Sequence, residues 1–444
     1  MLYFIIGIIS IIFFSVTLKS IRKGAKLFLL LVLIIPYFKL GHSYFNMEYI
    51  YIIFLFIVLL IKRFFSKKAI VWPKVANYYL MFVMYIFFNT IININHYSEI
   101  TTIFKNFFFY VKPLILMFIF SNIQLNHRDV RNLLDSFVYL SIIFLIFEIG
   151  QINNNEFITN ITLEYYSSPS RLSIQNLIEF YGGIIRGVSV FEHPAYASIY
   201  FLLSLCISIY RLLSGIHGFR FIAWLVLVFI NIVGGYLTAS ATFISGIILL
   251  LLFLSSYLLY KRRFISLIKI YFCVLILIYL ISLNCNYLSN GDVIKYQIDR
   301  VYNLEIFNTR FNSQNGFLLE TISQIKNNFI FGLGILNFNN VFIGDSMWVI
   351  IFYYGGLVGF IIFSTFLIQV IHNFIKLQYD LLILVLWVYV FVITGFGIPS
   401  FFTPRIQDWF WAFVSIMCVK RYSIYLGIGR GYYREKIESF AHFT

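Results

Sequence analysis

Residues 186–212 read RGVSVFEHPAYASIYFLLSLCISIYRL. An Arg, a Glu and a His crowd in front of Pro194, and no charge follows until Arg211. A run of that length crosses a hydrocarbon core of roughly 30 Å as a helix. Proline suits the first turn of such a helix, because the N–H it lacks would have had no partner there. The stretch therefore predicts a membrane-spanning helix over 194–212 with three ionisable groups gathered at its N-terminus.

The same grammar recurs along the chain. Of 444 residues, 61% are hydrophobic, 21% aromatic and only 11% charged, which places the chain outside the range of soluble globular domains. Apolar runs predict further helices over 2–18, 27–40, 48–61, 77–94, 107–123, 134–150, 221–237, 240–260, 267–285, 347–369, 381–398 and 408–420, thirteen in all. Twelve or fourteen also fit the pattern. The expected fold is an all-α polytopic integral membrane protein, residues 1–444 forming one transmembrane domain with two longer outer loops, 151–193 and 286–346. The first run meets its first basic residue only at Lys19, the reverse of a secretory signal, and so reads as a retained helix. Four scattered cysteines without a CxxC spacing indicate neither a disulfide framework nor a metal site.

The net charge of +15 follows topology rather than a nucleic-acid surface. Alternate loops, from Lys19–Lys26 through Lys62–Lys74, Arg128/Arg131, Arg211/Arg220, Lys261–Lys269 and Lys376 to the tail after Lys420, hold 23 of the 33 Lys and Arg residues. The bias of basic loops toward the cytoplasm puts the N-terminus outside and the C-terminus inside. Helix interiors read as poor in charge, with Lys39, Lys112 and Glu148 near helix ends or ambiguous in place.

Both long loops mix aromatic residues with Arg, Gly and acids, unlike a disordered linker. A helix N-terminus favours anions, and an arginine grips phosphate or carboxylate through two parallel hydrogen bonds. Arg186, Glu192 and His193 thus gather anion-binding and acid–base groups at one spot. A purely structural alternative has Glu192 capping the helix, Arg186 pairing with it and His193 lying at the interface. The second loop offers Arg300 and Arg310, which equally well pair with Asp299, Glu305 or Glu320, and Asp345-Ser346, which equally well caps the next helix. Gly332-x-Gly334 reads as a tight turn, not a nucleotide fingerprint. Tyr165, Tyr166 and Tyr181 read as interfacial anchors.

Taken in order, Arg186 through His193-Pro194, LTASATFISGIILLLL (237–252), Arg310, Gly332-x-Gly334 and DSMWVIIFYYGGLVGFIIF (345–363) resemble the bacterial O-antigen polymerase and ligase superfamily over roughly residues 180–365. The resemblance implies a multi-pass protein of the bacterial inner membrane whose site faces the periplasm. It implies transfer of a glycan from undecaprenyl diphosphate to a sugar hydroxyl; the outer loops carry no Asp-x-Asp cluster, so the expected transfer uses no metal, and no cofactor is expected. The implied partners are the undecaprenyl-diphosphate-linked oligosaccharide, the lipid bilayer and a chain-length regulator protein, with no nucleic acid. Arg186 and Arg310, with Arg300 third, take the diphosphate-binding roles, and His193, Glu192 and Asp345 are the acid–base candidates. Asp345-Ser346 stands where ligases of the superfamily carry His-Asn, which favours polymerase over ligase. Ser240-Ala241 stands where many relatives carry Ser-Arg, which removes one cation. A lipid-linked oligosaccharide flippase is the rival outside this class.

Reporter fusions after Asn155 and Asn315 are expected to register the outer side, and fusions after Lys68 and Arg262 the cytoplasm. A cytoplasmic signal at Asn315 would invert the topology of the second loop.

Overall fold

The computed structural model describes residues 2–40, 43–67, 69–93, 100–123, 125–166, 186–214, 217–260, 318–335, 346–376, 381–403 and 405–418, with isolated positions between 262 and 303. Among these the chain forms fourteen α-helices, one 3-10 turn and one small hairpin. In order they are α1 (Leu2–Lys19), α2 (Ile21–Ile34), strands β1 (Phe38–Leu40) and β2 (Ser43–Phe45), α3 (Met47–Phe65), α4 (Lys74–Ile92), α5 (Ile100–Asn122) and α6 (His127–Ile152). There follow α7 (Glu156–Tyr165), α8 (Pro194–Leu213), α9 (Phe219–Leu237), α10 (Ala241–Tyr260), α11 (Leu319–Asn327), α12 (Met347–Lys376), α13 (Leu381–Thr394), the 3-10 turn Ser400–Phe402 and α14 (Ile406–Cys418).

The chain is an all-α polytopic membrane protein. Six of the described helices, α4, α6, α8, α9, α10 and α12, are long and apolar enough to cross a bilayer unaided. Their outward faces expose Phe88, Ile146, Ile222 and Ile361, side chains that only lipid would cover. By contrast α2 has 14 residues between its caps. At 1.5 Å per residue it reaches about 20 Å, short of a full crossing. α14 is the most enclosed of the described α-helices, with every residue from Ile406 to Met417 buried.

Several helix limits differ from expectation for identifiable reasons. α2 begins early because Ser20 caps it, accepting from the Lys23 amide, and it stops at Ile34 because Pro36 follows. The span expected over 27–40 instead ends in the hairpin, Phe38 pairing with Phe45. α6 starts at His127 because Asn126 and Asp129 form a reciprocal capping box. α5 continues to Ile100 in spite of Pro113 within it. α13 ends at Thr394, not 398. The helix expected over 267–285 lies almost wholly outside the described residues.

The expected alternation of loops is visible as two ends of one bundle. At the basic end Lys62 donates to the carbonyls of Thr17 and Leu18, Arg63 to that of Asn122, Arg22 and Lys26 reach Asp129, and Arg211 pairs with Asp135. Helix termini leave carbonyls unpaired, and basic side chains satisfy them.

At the opposite end the backbone is broken and re-paired. α12 leaves helical geometry at Gly356 (φ 57°), and the freed groups meet the segment after α11: Leu333 N donates to Tyr353 O at 2.8 Å and Gly334 N to Tyr354 O at 2.9 Å. Ile335 N finds the Thr90 hydroxyl at 2.9 Å. Gly332 and Gly334 adopt φ of 76° and 78°, so the expected tight turn is present. It also brings two backbones together, since a Cβ on Gly334 would stand 2.5 Å from the Thr90 nitrogen. Gly334→Ala is accordingly expected to cost about 1–3 kcal/mol of unfolding free energy in detergent. Gly7→Ala, with nothing within 4 Å of its would-be Cβ, is expected to be neutral or better.

Candidate functional site

The stretch 186–194 lies at the end of the bundle opposite the basic one and is pinned from three sides. Gln151, in the last turn of α6, accepts from the amides of Val188 (3.0 Å) and Ser189 (2.9 Å) and donates to the Ser189 carbonyl at 2.7 Å. Gly187 N donates to Leu237 O at the end of α9. Arg405 Nη1 donates to Val190 O at 2.7 Å. A loop held this way presents its side chains in fixed positions, as a binding site requires.

Each ionisable group of the stretch has a defined role in this frame. Arg186 is buried and its Nε donates to Thr238 O at 3.1 Å, while Thr238 Oγ1 shares a 2.8 Å hydrogen bond with Ser198 in the first turns of α8. Glu192 accepts a hydrogen bond from the Tyr37 hydroxyl. His193 is the N-cap of α8, its Nδ1 accepting from the Ala195 amide at 3.1 Å, and Pro194 fills the first helical position as expected.

Arg405 was not legible as a site residue. It is 3% exposed and has φ 69°, a left-handed conformation unusual for a side chain of this size. Its guanidinium lies between two rings, 4.9 Å from the centroid of Tyr37 and 5.0 Å from that of Tyr166, within cation–π range. Burial raises the Tyr37 phenol above its ordinary pKa, Arg405 pulls it down, and Glu192 and Glu48 push it up again. The phenol therefore stays protonated as a donor to Glu192. Tyr166 is raised by burial and lowered by Arg405 in the same way. Tyr166 is half-buried beside Arg405, its hydroxyl donating to Ile34 O at 2.7 Å.

Behind this layer Lys112 of α5 stands between Glu48 of α3 and Asp408 of α14, forming an ion pair with Glu48 and another at 2.7 Å with Asp408 Oδ1. The three side chains are at most 1% exposed. Asn46 supports Glu48 by capping its amide and donating to its carboxylate. Glu148, also buried, lies against Gly187, and among the described residues neither carboxylate oxygen has a hydrogen-bond partner. Glu48 and Asp408 lie in the first turns of their helices and Glu148 near the end of α6, as a charge-poor interior requires; the placing of Lys112 is corrected. Lys112 is far from either end of α5, and helix packing, not distance from a terminus, supplies its partners.

Of the expected site residues, Arg186, Glu192 and His193 lie on this one loop with separate partners, whereas Arg300, Arg310 and Asp345, like the expected anchor Tyr181, lie outside the described residues. Next to Asp345, Ser346 Oγ and Met347 N both bond Gly395 O, tying that helix start to the end of α13. Tyr37, Arg405 and the triad were missed. The signal for Arg405 and Asp408 was the run TPRIQD at 403–408, an arginine and a carboxylate beside a proline ahead of an apolar run, the pattern already seen in RGVSVFEHP. No family model, curated protein or solved structure matches this chain.

Removing one partner of a buried ion cluster strands the others. Lys112→Met is therefore expected to lower stability by about 3–5 kcal/mol, and the triple change Glu48→Gln, Lys112→Met, Asp408→Asn to recover most of it. Thermal unfolding of the purified variants checks this; a Lys112→Met protein as stable as the parent would refute it.

Proposed function

We propose that the chain is a membrane glycosyltransferase of the surface-polysaccharide polymerase kind, moving a glycan from undecaprenyl diphosphate to the sugar hydroxyl of another lipid-linked repeat unit. The observation that carries this reading is the convergence of Arg186, Arg405, Tyr37 and Glu192 on one pinned loop, at the end of the bundle away from its basic loops. By the charge bias that end faces out of the cytoplasm, which in this proposal is the periplasmic side of the bacterial inner membrane.

The chemistry is a substitution at an anomeric carbon. The acceptor oxygen forms its bond there, the bond to the diphosphate oxygen breaks, and the acceptor proton goes to a base. Charge grows on the leaving diphosphate, and guanidinium groups already fixed in a buried site stabilise it without having to reorganise. Arg186 is the cation assigned to this, with Arg310 and Arg300 of the second loop as its partners in the proposal. For the base, Glu192 has the better geometry. In a neutral His193 whose Nδ1 accepts from Ala195, the ring proton sits on Nε2, so the ring cannot take another proton without giving up the cap. Glu192 is a carboxylate already aligned by the Tyr37 hydroxyl. Asp345 is the third acid–base candidate, and a ligase acting on lipid A core differs from this reading only in its acceptor.

The buried triad favours a second reading, a lipid-linked oligosaccharide flippase, because ionisable groups inside membrane helices commonly mark a transport path. Deletion of the gene in its host separates the readings. Core capped with a single repeat means polymerase, uncapped core with polymer accumulating on the lipid carrier means ligase, and absence of outward-facing intermediate means flippase.

With purified lipid-linked repeat units, Arg186→Ala is expected to abolish extension and Arg186→Lys to restore it only in part. Glu192→Gln is expected to lose about 10²–10⁴ in rate, the usual worth of a general base. His193→Gln is expected to keep most turnover and lose about 1 kcal/mol of stability as a weakened cap. Full turnover in Glu192→Gln would remove that residue from the chemistry.

A further inference from the structure

At the end of the bundle away from its basic loops, the segment after α11 enters the break in α12 and turns three large apolar side chains outward. The amides of Leu357 and Val358, freed by the break at Gly356, donate to Phe329 O at 2.8 Å and Ile330 O at 3.2 Å. Phe331 O accepts from the Tyr85 hydroxyl at 3.0 Å and from Asn89 Nδ2, both on α4. Tyr85 and Asn89 come seven and three residues before Ile92, the end of α4, so they lie about 10 and 5 Å inside that end. With 19 residues α4 spans about 28 Å, close to the hydrocarbon thickness, so a carbonyl bonded one to two turns from its end is inside the hydrocarbon. Gly332 fixes the segment there, since a Cβ on it would stand 2.5 Å from the Gly356 nitrogen. Yet Phe329, Ile330 and Phe331 are 47%, 55% and 64% exposed, and so is much of Phe88, beside Asn89 on α4. Lys326, Asn327 and Asn328, just before the triplet, are exposed as well.

We propose that this stretch dips into the outer leaflet, Phe329, Ile330 and Phe331 lying among the acyl chains of its phospholipids and Lys326 among their phosphates. Depth selects the occupant. The triplet is tied below the end of a helix whose outward face lipid already covers, and it offers no polar side chain to a protein partner. The polar residues come immediately before it, where a long cationic side chain reaches headgroups while its stem stays in apolar surroundings. Aromatic rings beside such residues are the composition of an interfacial element. The carbonyls of Phe329 and Ile330 also close the break in α12, so the residues that contact lipid are the ones that hold the two halves of that helix together.

Power-saturation EPR of the full chain in nanodiscs of phosphatidylethanolamine and phosphatidylglycerol tests it, with nitroxides placed one at a time in a protein whose four cysteines are replaced by alanine. On Ile330→Cys the label is expected to meet dissolved oxygen severalfold more readily than a water-soluble nickel chelate, as on Ile361→Cys of the lipid-facing side of α12. On Ser323→Cys, exposed on α11, the order is expected to reverse. Phe331→Cys carries the same expectation as Ile330→Cys and replaces it if that variant fails to insert. A triplet label reached by nickel as readily as the one on Ser323→Cys would overturn the proposal, because the triplet would then face water. So would a label that neither reagent reaches, which would mean a protein partner or a second copy of this chain over the triplet.

Discussion

An ammonium group cannot sit alone among membrane helices, and Lys112 is where that constraint bears hardest. Removing each ion from water costs several kcal/mol, and only close counter-charges offset it. Glu48 comes from the first turn of α3 and Asp408 from the first turn of α14, so the ion cluster fixes the relative depth of three helices. Everything at the candidate site hangs from that choice. With Asp408 fixed, Arg405, three residues earlier, is delivered between Tyr37 and Tyr166 and onto Val190. Val190 in turn sets the position of Glu192 and His193 two and three residues further on.

The two ends of the bundle solve the same problem in different ways. Helix termini at the basic end are closed by long cationic side chains reaching neighbouring carbonyls. At the other end irregular backbone is closed mostly by backbone and short polar groups, Tyr353 and Tyr354 with the 333–334 segment, Gly395 with Met347, and Gln151 with Val188 and Ser189, while Arg186 and Arg405 take one carbonyl each. Non-helical backbone at membrane depth is tolerated where protein encloses it. The same enclosure buries the guanidinium groups of Arg186 and Arg405, and fixed charges out of water act more strongly, which supports the proposed glycosyl transfer.

The architecture was legible wherever an apolar run carried its own punctuation. Pro194 marked the start of α8 and the run ended at Leu213, one residue past expectation. Where the stop signal was internal, as at Pro36 or in the capping box Asn126/Asp129, limits moved by several residues. Of the site, RGVSVFEHP was readable because its charges are adjacent in sequence. Arg405, Tyr37, Glu48 and Lys112 were not, because they meet only through packing of residues up to 368 apart in the chain, as Tyr37 and Arg405 are. A single charged residue in an apolar run carries no mark of its partner. For His193, residue type suggested a base, while the hydrogen bond from Ala195 shows a cap, a distinction that depends on which ring nitrogen is occupied.

α14 is the last of the described helices and also the most enclosed. Trp409 Nε1 donates to Leu29 O at 2.7 Å and Ser415 Oγ to Met117 O at 2.6 Å, so partners in α2 and α5 wait for a segment made some three hundred residues later. During biosynthesis the earlier helices must enter the membrane with a vacant central slot, Glu48 and Lys112 facing each other without Asp408. Closure of the bundle then waits for α14, and it is locked from within rather than zipped from the N-terminus. A ribosome stalled before residue 406 would leave an assembled rim around an unfilled centre, the kind of intermediate that membrane quality control recognises by its exposed polar groups.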